Sequence, residues 1–336
     1  MSNEFQFESA GISDLGLVRT ENEDQFLVAE LTRCMQSVSS SLPLQAGSQL
    51  TGGVLGQLLI VADGMGGHRA GADASRVAVE YFVASILNRL GWLFPKVDAD
   101  ETALIEDLKL VMRQSDREIE RLSQEKPELK GMGTTFTMAY VVWPRMYIVH
   151  AGDSRCYLLR RGELQVLTRD HTLYQRPNIL TNALGAGSQG VHVEIRTVQL
   201  EEGDSVLLCS DGLNKHVDDK LIQQTMLENT DPRTVCRSLI DHANKGGGSD
   251  NTTLVVGRWG KSSEDEGMPI FESLPSDRTL FREIAFPPEE TETADIETLH
   301  LSAFDLREFS VESAETASNE GEGTPKDEKN PAKGEQ

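Results

Sequence analysis

The sequence predicts an α+β fold in which antiparallel sheets are covered by helices. Strand-like segments and helical segments come in blocks and do not alternate one for one. Several strand-like segments are joined only by turn residues, as at Pro144-Arg145 and Arg161-Gly162, which makes their neighbours antiparallel. Helical periodicity is confined to four stretches, which fall in two consecutive pairs.

Phe5 to Asp14 and Gln25 to Leu31 read as the first two strands, joined across the charged turn Arg19-Thr20-Glu21-Asn22-Glu23-Asp24. Residues 32–56 are rich in Ser, Gly and Gln and predict an inserted surface loop. Leu58-Leu59-Ile60-Val61 is an apolar run of the kind that forms a buried strand, here spanning Gln57–Ala62. It ends in Ala62-Asp63-Gly64, and Gly66, Gly67 and Gly71 follow closely. From Ala70 to about Leu90 the residues Val79, Phe82, Val83, Ile86, Leu87 and Leu90 mark one face of a helix. A second helix, Ala99 to Gln124, repeats Leu104, Leu108, Val111, Met112, Ser115 and Ile119 at helical spacing, and Pro127 and Gly131 end it. Strands then follow over Thr134–Val142, Met146–His150, Arg155–Leu159, Val191–Leu200 and Ser205–Cys209. The second helix pair is Asp218–Leu227 and Asp231–Asn244, the latter with Pro232 directly after the Asp231 cap. Gly246-Gly247-Gly248 breaks it, and Thr252 to Arg258 is the last strand.

Beyond Trp259 the patterning dissolves. Residues 261–336 carry 20 acidic and 7 basic residues and few large apolar ones, which predicts a disordered acidic tail, with docking segments around Phe281–Phe286 or Leu299–Phe309. Residues 1–260 then form one folded domain. The net charge of −22 argues against nucleic acid or an anionic membrane as partner. Four scattered cysteines without a CxxC pair suit reduced thiols, and the N-terminus lacks the basic start and apolar core of a signal peptide, so a cytoplasmic protein is expected. No apolar run approaches the length of a membrane span.

The chemistry gathers at strand ends. Asp63 follows one buried strand and Asp211 follows another, each in an Asp-Gly pair one residue beyond a run of four apolar residues. Gly152-Asp153-Ser154-Arg155, Asp170-His171-Thr172 and Ser249-Asp250-Asn251 are further polar signatures at the ends of strands or turns. Any one of them taken alone is more often a turn than a site. Two central strands ending side by side would bring their carboxylates together, and clustered carboxylates need compensation. A set of hard oxygen ligands without clustered Cys or His suits Mg²⁺ or Mn²⁺. Two such ions can hold a hydroxide between them and grip a phosphoryl oxygen, and Arg19 is the candidate for clamping the phosphate. The glycines after Asp63 fit neither the dinucleotide fingerprint nor the P-loop. Cysteine-phosphatase spacing is absent, because the residues six after each Cys are Ser40, Gly162, Lys215 and His242. No Gly-x-Ser-x-Gly elbow occurs at Ser154 or Ser210.

The segments RTENEDQF, VADGMGGHRAGADAS, GMGTT, HAGDSR, LTRDHT, LTNALG, LLCSDGL and GGGSDNTT stand in this order over about residues 8–259. In them the chain resembles the bacterial-type protein phosphatase 2C family, metal-dependent serine/threonine phosphoprotein phosphatases. The resemblance implies a four-layer αββα sandwich, two antiparallel sheets flanked by helix pairs. It implies hydrolysis of phosphoserine and phosphothreonine by a hydroxide bridging two Mn²⁺ or Mg²⁺ ions, with a third ion possible. Asp63 would bridge both ions, joined by the carbonyl of Gly64, Asp211 and Asp250 would hold the first, and Glu23 and Asp24 would serve the second, one of them through water. Asp153 with Asp211 would serve the third, Asn251 would orient Asp250, and Arg19 would bind the substrate phosphate. His68 is the candidate acid, since Met65 occupies the place where animal members carry a His. The flap is short, only Leu173 to Pro177 separating Thr172 from Asn178, and the tail has no counterpart in the family. Phosphoprotein substrates, a cognate serine/threonine kinase and a monomeric state are the expectations. The intact carboxylates count against a pseudophosphatase, whereas a phosphohydrolase of small phosphoesters stays open as the alternative.

Overall fold

The computed structural model describes residues 5–36, 38–39, 49–66, 69–88, 101–174, 176–186 and 190–261. In chain order its strands are β1 (Phe5–Asp14), β2 (Asp24–Gln36), β3 (Gln49–Met65), β4 (Gly133–Thr134), β5 (Phe136–Val142), β6 (Arg145–Ala151), β7 (Arg155–Arg160), β8 (Glu163–Val166), β9 (Thr172–Leu173), β10 (Arg176–Leu180), β11 (Glu194–Gln199), β12 (Ser205–Cys209) and β13 (Thr252–Lys261). Its helices are α1 (Arg69–Asn88), α2 (Glu101–Glu125), α3 (Asp211–Asn214), α4 (Asp219–Glu228) and α5 (Pro232–Lys245), with a short 3₁₀ turn at Pro127–Leu129.

One sheet runs β1-β13-β12-β7-β8 and the other β11-β6-β5-β3-β2, with β4 against the end of β3. All these pairings are antiparallel. The side chains of a strand alternate between its two faces, so each central strand feeds two cores. On β3, Leu58, Ile60 and Ala62 pack with α1 and α2, while Leu59 and Val61 face the other way. On β12, Leu207 and Cys209 pack with α4 and α5, while Val206 and Leu208 face inward. The inward set, with Ala139, Ile148, Val255 and Trp259, forms the core between the two sheets. Three apolar layers between four structural layers make the αββα sandwich. Both faces of the central strands are buried, which is why they read as continuous apolar runs.

Helix boundaries follow their signals. Asp231 accepts hydrogen bonds from the N–H groups of Arg233 and Thr234, and Pro232 opens α5. The predicted face of α2 is buried at every position from Leu104 to Ile119, together with Asp116. Asp116 does a second job: its two oxygens accept the N–H groups of Gly185 (2.7 Å) and Val191 (3.0 Å), pinning both residues to α2.

Several expectations are corrected. Residues 32–56 are not simply a loop, because β2 continues to Gln36 and β3 begins at Gln49, with Thr32 opposite Val54 and Gln36 opposite Gln49. Thr32, Cys34 and Gln36 on β2 are exposed, so these positions give no apolar alternation to reveal the strand. Leu87, assigned to the apolar face of α1, is 46% exposed, and the packed face runs through Ala74, Val77, Ala78, Phe82 and Ile86. The short β9–β10 pair and the one-turn helix α3 had no sequence signal. Asp63 and Asp211 do not end neighbouring strands of one sheet; they lie at the ends of β3 and β12 in different sheets. Leu90, His68, the start of the second helix before Glu101, the 281–286 and 299–309 segments and the tail beyond 261 lie outside the described residues. Among the described residues no helix is long and apolar enough to cross a membrane.

One buried titratable group gives the fold a pH signature. His150 on β6 is 1% exposed. Its Nε2–H donates to the carbonyl of Arg169 (3.0 Å), which leaves Nδ1 to accept from the Thr137 hydroxyl (2.9 Å). Burial, helped by the His171 ring, pushes its pKa down to about 4 against the attraction of Glu194 and Asp170. The folded ring therefore stays neutral where the unfolded one protonates, near the ordinary value of about 6.5. Its contribution is intact above that value and is lost as pH falls toward 4, by up to about 3 kcal/mol. Urea midpoints measured across this window should fall with acidification, and His150→Gln, less stable at neutral pH, should show a shallower fall. An equal slope in both proteins would contradict this assignment.

Candidate functional site

The two sheets end together over a cleft of about 1090 Å³, whose lining includes Arg19, Glu23, Asp63, Gly64, Asp153, Asp211, Lys215 and Asp250. Each carboxylate reaches the cleft from a different element. Asp63 is at the end of β3, opposite Asp24 at the start of β2. Its backbone is fixed from both sides: its N–H donates to the Thr135 hydroxyl (2.9 Å), and its carbonyl accepts from the Thr135 N–H (2.8 Å) and the Thr134 hydroxyl (2.9 Å). Gly64 then donates its N–H to the carbonyl of Glu23 (3.1 Å). A Cβ on Gly64 would collide with the Gly71 carbonyl and stand 2.6 Å from the Glu23 oxygen, so only glycine lets these three backbones meet.

Asp211 opens α3 just after β12. The preceding Ser210 ties the sheets together, since its hydroxyl donates to Asp24 Oδ2 (2.7 Å) and accepts from the Thr253 N–H (2.9 Å). Asp250 precedes β13. Its Oδ1 is 2.7 Å from Arg19 Nε and its Oδ2 is 2.6 Å from Lys215 Nζ. Asp153 follows Gly152, whose φ of 120° is a conformation favoured by glycine. Gly152 is held twice by His171, which accepts its N–H at Nδ1 (3.1 Å) and donates its own N–H to the Gly152 carbonyl (2.8 Å). Arg155 and Asp170 form a bidentate pair beside it (2.8 and 2.7 Å).

The electrostatics are those of crowded, desolvated anions. Burial, then the charges of Asp24, Asp211, Asp153 and Asp250, pushes Asp63 well above the ordinary carboxylate range. Burial lifts Asp24 to about 7, against the hydrogen bonds from Ser210 and Thr253, and burial with Asp211 lifts Asp153 to about 7. Asp250 behaves oppositely: burial works to raise it, but Lys215 and Arg19 outweigh burial and hold it below the usual range.

The residues fit a divalent cation. Asp24 Oδ1 and Asp211 Oδ1 are buried oxygens without a hydrogen-bond partner, a costly arrangement that an ion would relieve. The available donors are carboxylates and backbone carbonyls, the set that suits Mg²⁺ or Mn²⁺. Among the described residues no three Asp, Glu, His or Cys side chains are yet gathered closely enough to enclose an ion. The cationic groups of Lys215 and Arg19 hold the oxygens of Asp250, and Lys215 also holds one of Asp211.

Of the expected residues, Arg19, Glu23, Asp63, Gly64, Asp153, Asp211 and Asp250 all line the cleft. Asp24 is only 4% exposed and sits behind them. Asn251 does not direct its side chain to Asp250: its Oδ1 accepts the Glu23 N–H (2.9 Å), and its Nδ2 donates to the carbonyls of Leu15 (3.0 Å) and Glu21 (3.1 Å). It thus shapes the Arg19–Glu23 turn, while the Asp250 carboxylate accepts from the Asn251 backbone N–H. His68 lies outside the described residues. Sequence reasoning gave no role to Thr135, Ser154, Ser210 or Lys215; the Ser154 hydroxyl pairs with that of Thr135 (2.7 Å). The first three stand inside the motifs GMGTT, HAGDSR and LLCSDGL, which was a usable signal, whereas Lys215 follows the last motif with nothing to mark it.

The chain also has recognisable relatives among known proteins. The sequence profile of protein phosphatase 2C matches residues 38–244. The chain is 32% identical to the serine/threonine protein phosphatase PstP of Mycobacterium tuberculosis over 266 residues, 74% of this chain and 44% of that protein, so it spans less than half of that relative. It is 32% identical to the serine/threonine phosphatase stp of Listeria monocytogenes over 222 residues, 59% of this chain and 83% of that one. Among solved structures, the PstP catalytic domain in complex with two manganese ions superposes with a TM-score of 0.59 at 30% identity, covering 77% of this chain and all of that one. PppA of Pseudomonas aeruginosa superposes with a TM-score of 0.57 at 31% identity, over 75% of this chain and 97% of that one.

The Asn251 bonds have a measurable consequence. Asn251 is 4% exposed, so Asn251→Ala would leave the Glu23 N–H and two carbonyls without their partner. Urea unfolding in the presence of chelator should show a loss of about 2 kcal/mol. A loss under about 0.5 kcal/mol, the range of neutral surface substitutions, would show that the turn is held by other means.

Proposed function

Because the chain belongs to the protein phosphatase 2C family, we propose that it is a metal-dependent serine/threonine protein phosphatase that hydrolyses phosphoserine and phosphothreonine in proteins. The observation that carries this reading is the convergence of Asp63, Asp153, Asp211, Asp250 and Glu23 from both sheets on one cleft, with a buried oxygen of Asp211 left unbonded. When bound, Mn²⁺ or Mg²⁺ would supply an ionised water as nucleophile and neutralise charge on the phosphoryl oxygens.

The protein's own groups have distinct tasks. Asp63, rigid at the end of β3, would bridge two ions, joined by the Gly64 carbonyl. Asp211 and Asp250 would hold one ion, and Glu23 the other. Asp24, recessed and already bonded to Ser210, would act on the second ion through water. Asp153 and Asp211 would hold a third. Arg19 is half exposed and held at Nε by Asp250, so its planar fork can present the terminal nitrogens to two phosphoryl oxygens of the substrate. His68, three residues after Met65 and beside the Asp63 loop in sequence, is the candidate to give the proton to the departing seryl or threonyl oxygen. A phosphorylated protein is the substrate class, with a cognate serine/threonine kinase as its counterpart, and we place the enzyme in the cytoplasm as a monomer.

Asp211→Asn tests the reading. It keeps size and hydrogen bonding but removes one anionic ligand. Thermal unfolding in chelator should stay near that of the wild type, while Mn²⁺-dependent turnover of a phosphothreonine peptide should drop by at least about 100-fold, mainly in kcat. Chelator should abolish wild-type turnover, and added Mn²⁺ should restore it. A mutant that stays active, or a wild type indifferent to chelator, would falsify the mechanism. Small phosphate monoesters assayed in parallel should be poorer substrates by kcat/KM; the reverse order would favour a small-molecule phosphohydrolase.

A further inference from the structure

Lys215 stands where the carboxylates most need positive charge. It is the residue just after α3, and its N–H donates to the Asp211 carbonyl (3.0 Å), so residues 211 and 215 are one helical turn apart and share a face. From there Nζ reaches Asp211 Oδ2 (2.7 Å) and Asp250 Oδ2 (2.6 Å) together. The side chain is 34% exposed and lines the cleft, so it has room to withdraw. With Arg19 on Asp250 Oδ1, both oxygens of Asp250 and one of Asp211 are held by cationic groups of the chain.

We propose that Lys215 is a built-in counter-cation of this site: it holds Asp211 and Asp250 together in the metal-free protein and is displaced when a divalent ion takes the same two oxygens. The inference rests on the proposed function, because it concerns the ion that Asp211 and Asp250 would bind. The competition is a matter of geometry and charge. An ion bridging these carboxylates needs oxygens at roughly 2.0–2.2 Å, closer than any N–H···O contact, and its own charge would repel an ammonium left in place. The lysine therefore sets how much divalent ion is needed to fill the site. It also keeps the empty site folded, since without it Asp211 and Asp250 would face each other with only Arg19 between them and solvent. This role differs from that of a ligand or a substrate clamp: removing Lys215 should tighten metal binding, whereas removing a ligand loosens it.

The test uses the full chain stripped of metal by chelator and dialysed, with Mn²⁺ alone as titrant. Lys215→Gln removes the charge, and Lys215→Arg keeps it. Calorimetric titration should show Mn²⁺ binding Lys215→Gln about tenfold or more tightly than the wild type, in keeping with the strong dependence of hard-cation sites on local charge. Lys215→Arg should stay close to the wild type. Melting of the metal-free proteins should show Lys215→Gln less stable than the other two, with the gap closing once Mn²⁺ is saturating. If the wild type binds two ions and Lys215→Gln binds them no more tightly, this inference falls and the proposed function stands. Should Mn²⁺ bind Lys215→Gln but not the wild type, Lys215 is not displaced by the ion, and both the inference and the proposed function fall. If neither protein binds Mn²⁺, both fall.

Discussion

The repulsion among buried carboxylates at the meeting point of two sheets is the constraint on which this structure turns. Asp24 and Asp63 are opposite one another on adjacent strands, and Asp211 reaches the same place from the other sheet. Burial and mutual charge push the carboxyls of Asp24, Asp63 and Asp153 upward together. A folded chain keeps such groups ionised together only with a source of positive charge. Here the chain supplies part of it through Arg19 and Lys215, and the remainder matches what a divalent ion provides.

The scaffold meets that constraint by rigidity. Leu58 to Ala62 on β3 and Val206 to Cys209 on β12 are almost wholly buried and feed cores on both faces of their sheets. Their ends therefore cannot drift apart to relieve the repulsion. Neutral polar groups then set the spacing. The Ser210 hydroxyl couples Asp24 to β13, the Thr135 hydroxyl fixes the Asp63 backbone, and Asn251 holds the Arg19–Glu23 turn. Each is a hydrogen bond between elements distant in sequence, so the site is a product of the completed fold and not of any one loop.

Much of this was legible from the chain. Apolar runs located β3 and β12, the period of α2 gave its buried face, and the Asp-Gly pairs marked the ends where chemistry gathers. What was not legible has physical reasons. On β2 beyond Leu31 the positions Thr32, Cys34 and Gln36 are exposed, so they give no apolar alternation to mark the strand. Short pairs such as β9–β10 carry too few residues for any period to register. The placement of Asp63 and Asp211 in facing sheets depends on topology, which strand order in sequence does not dictate. Asn251 was expected to serve Asp250 because it is adjacent, yet its side chain bonds residues more than 200 positions away. The same holds for Lys215, whose partner Asp250 is far along the chain.

The central claim is that this carboxylate cluster is a binuclear metal centre bridged by Asp63. Anomalous diffraction at the manganese edge, from crystals of the full chain grown with Mn²⁺, addresses it directly. The account predicts two strong peaks in the cleft, roughly 3.5–4 Å apart, with an oxygen of Asp63 ligating both. Asp211 and Asp250 should lie on one of them and Glu23 on the other. A single peak, peaks bound elsewhere on the surface, or a pair that Asp63 does not bridge would contradict it.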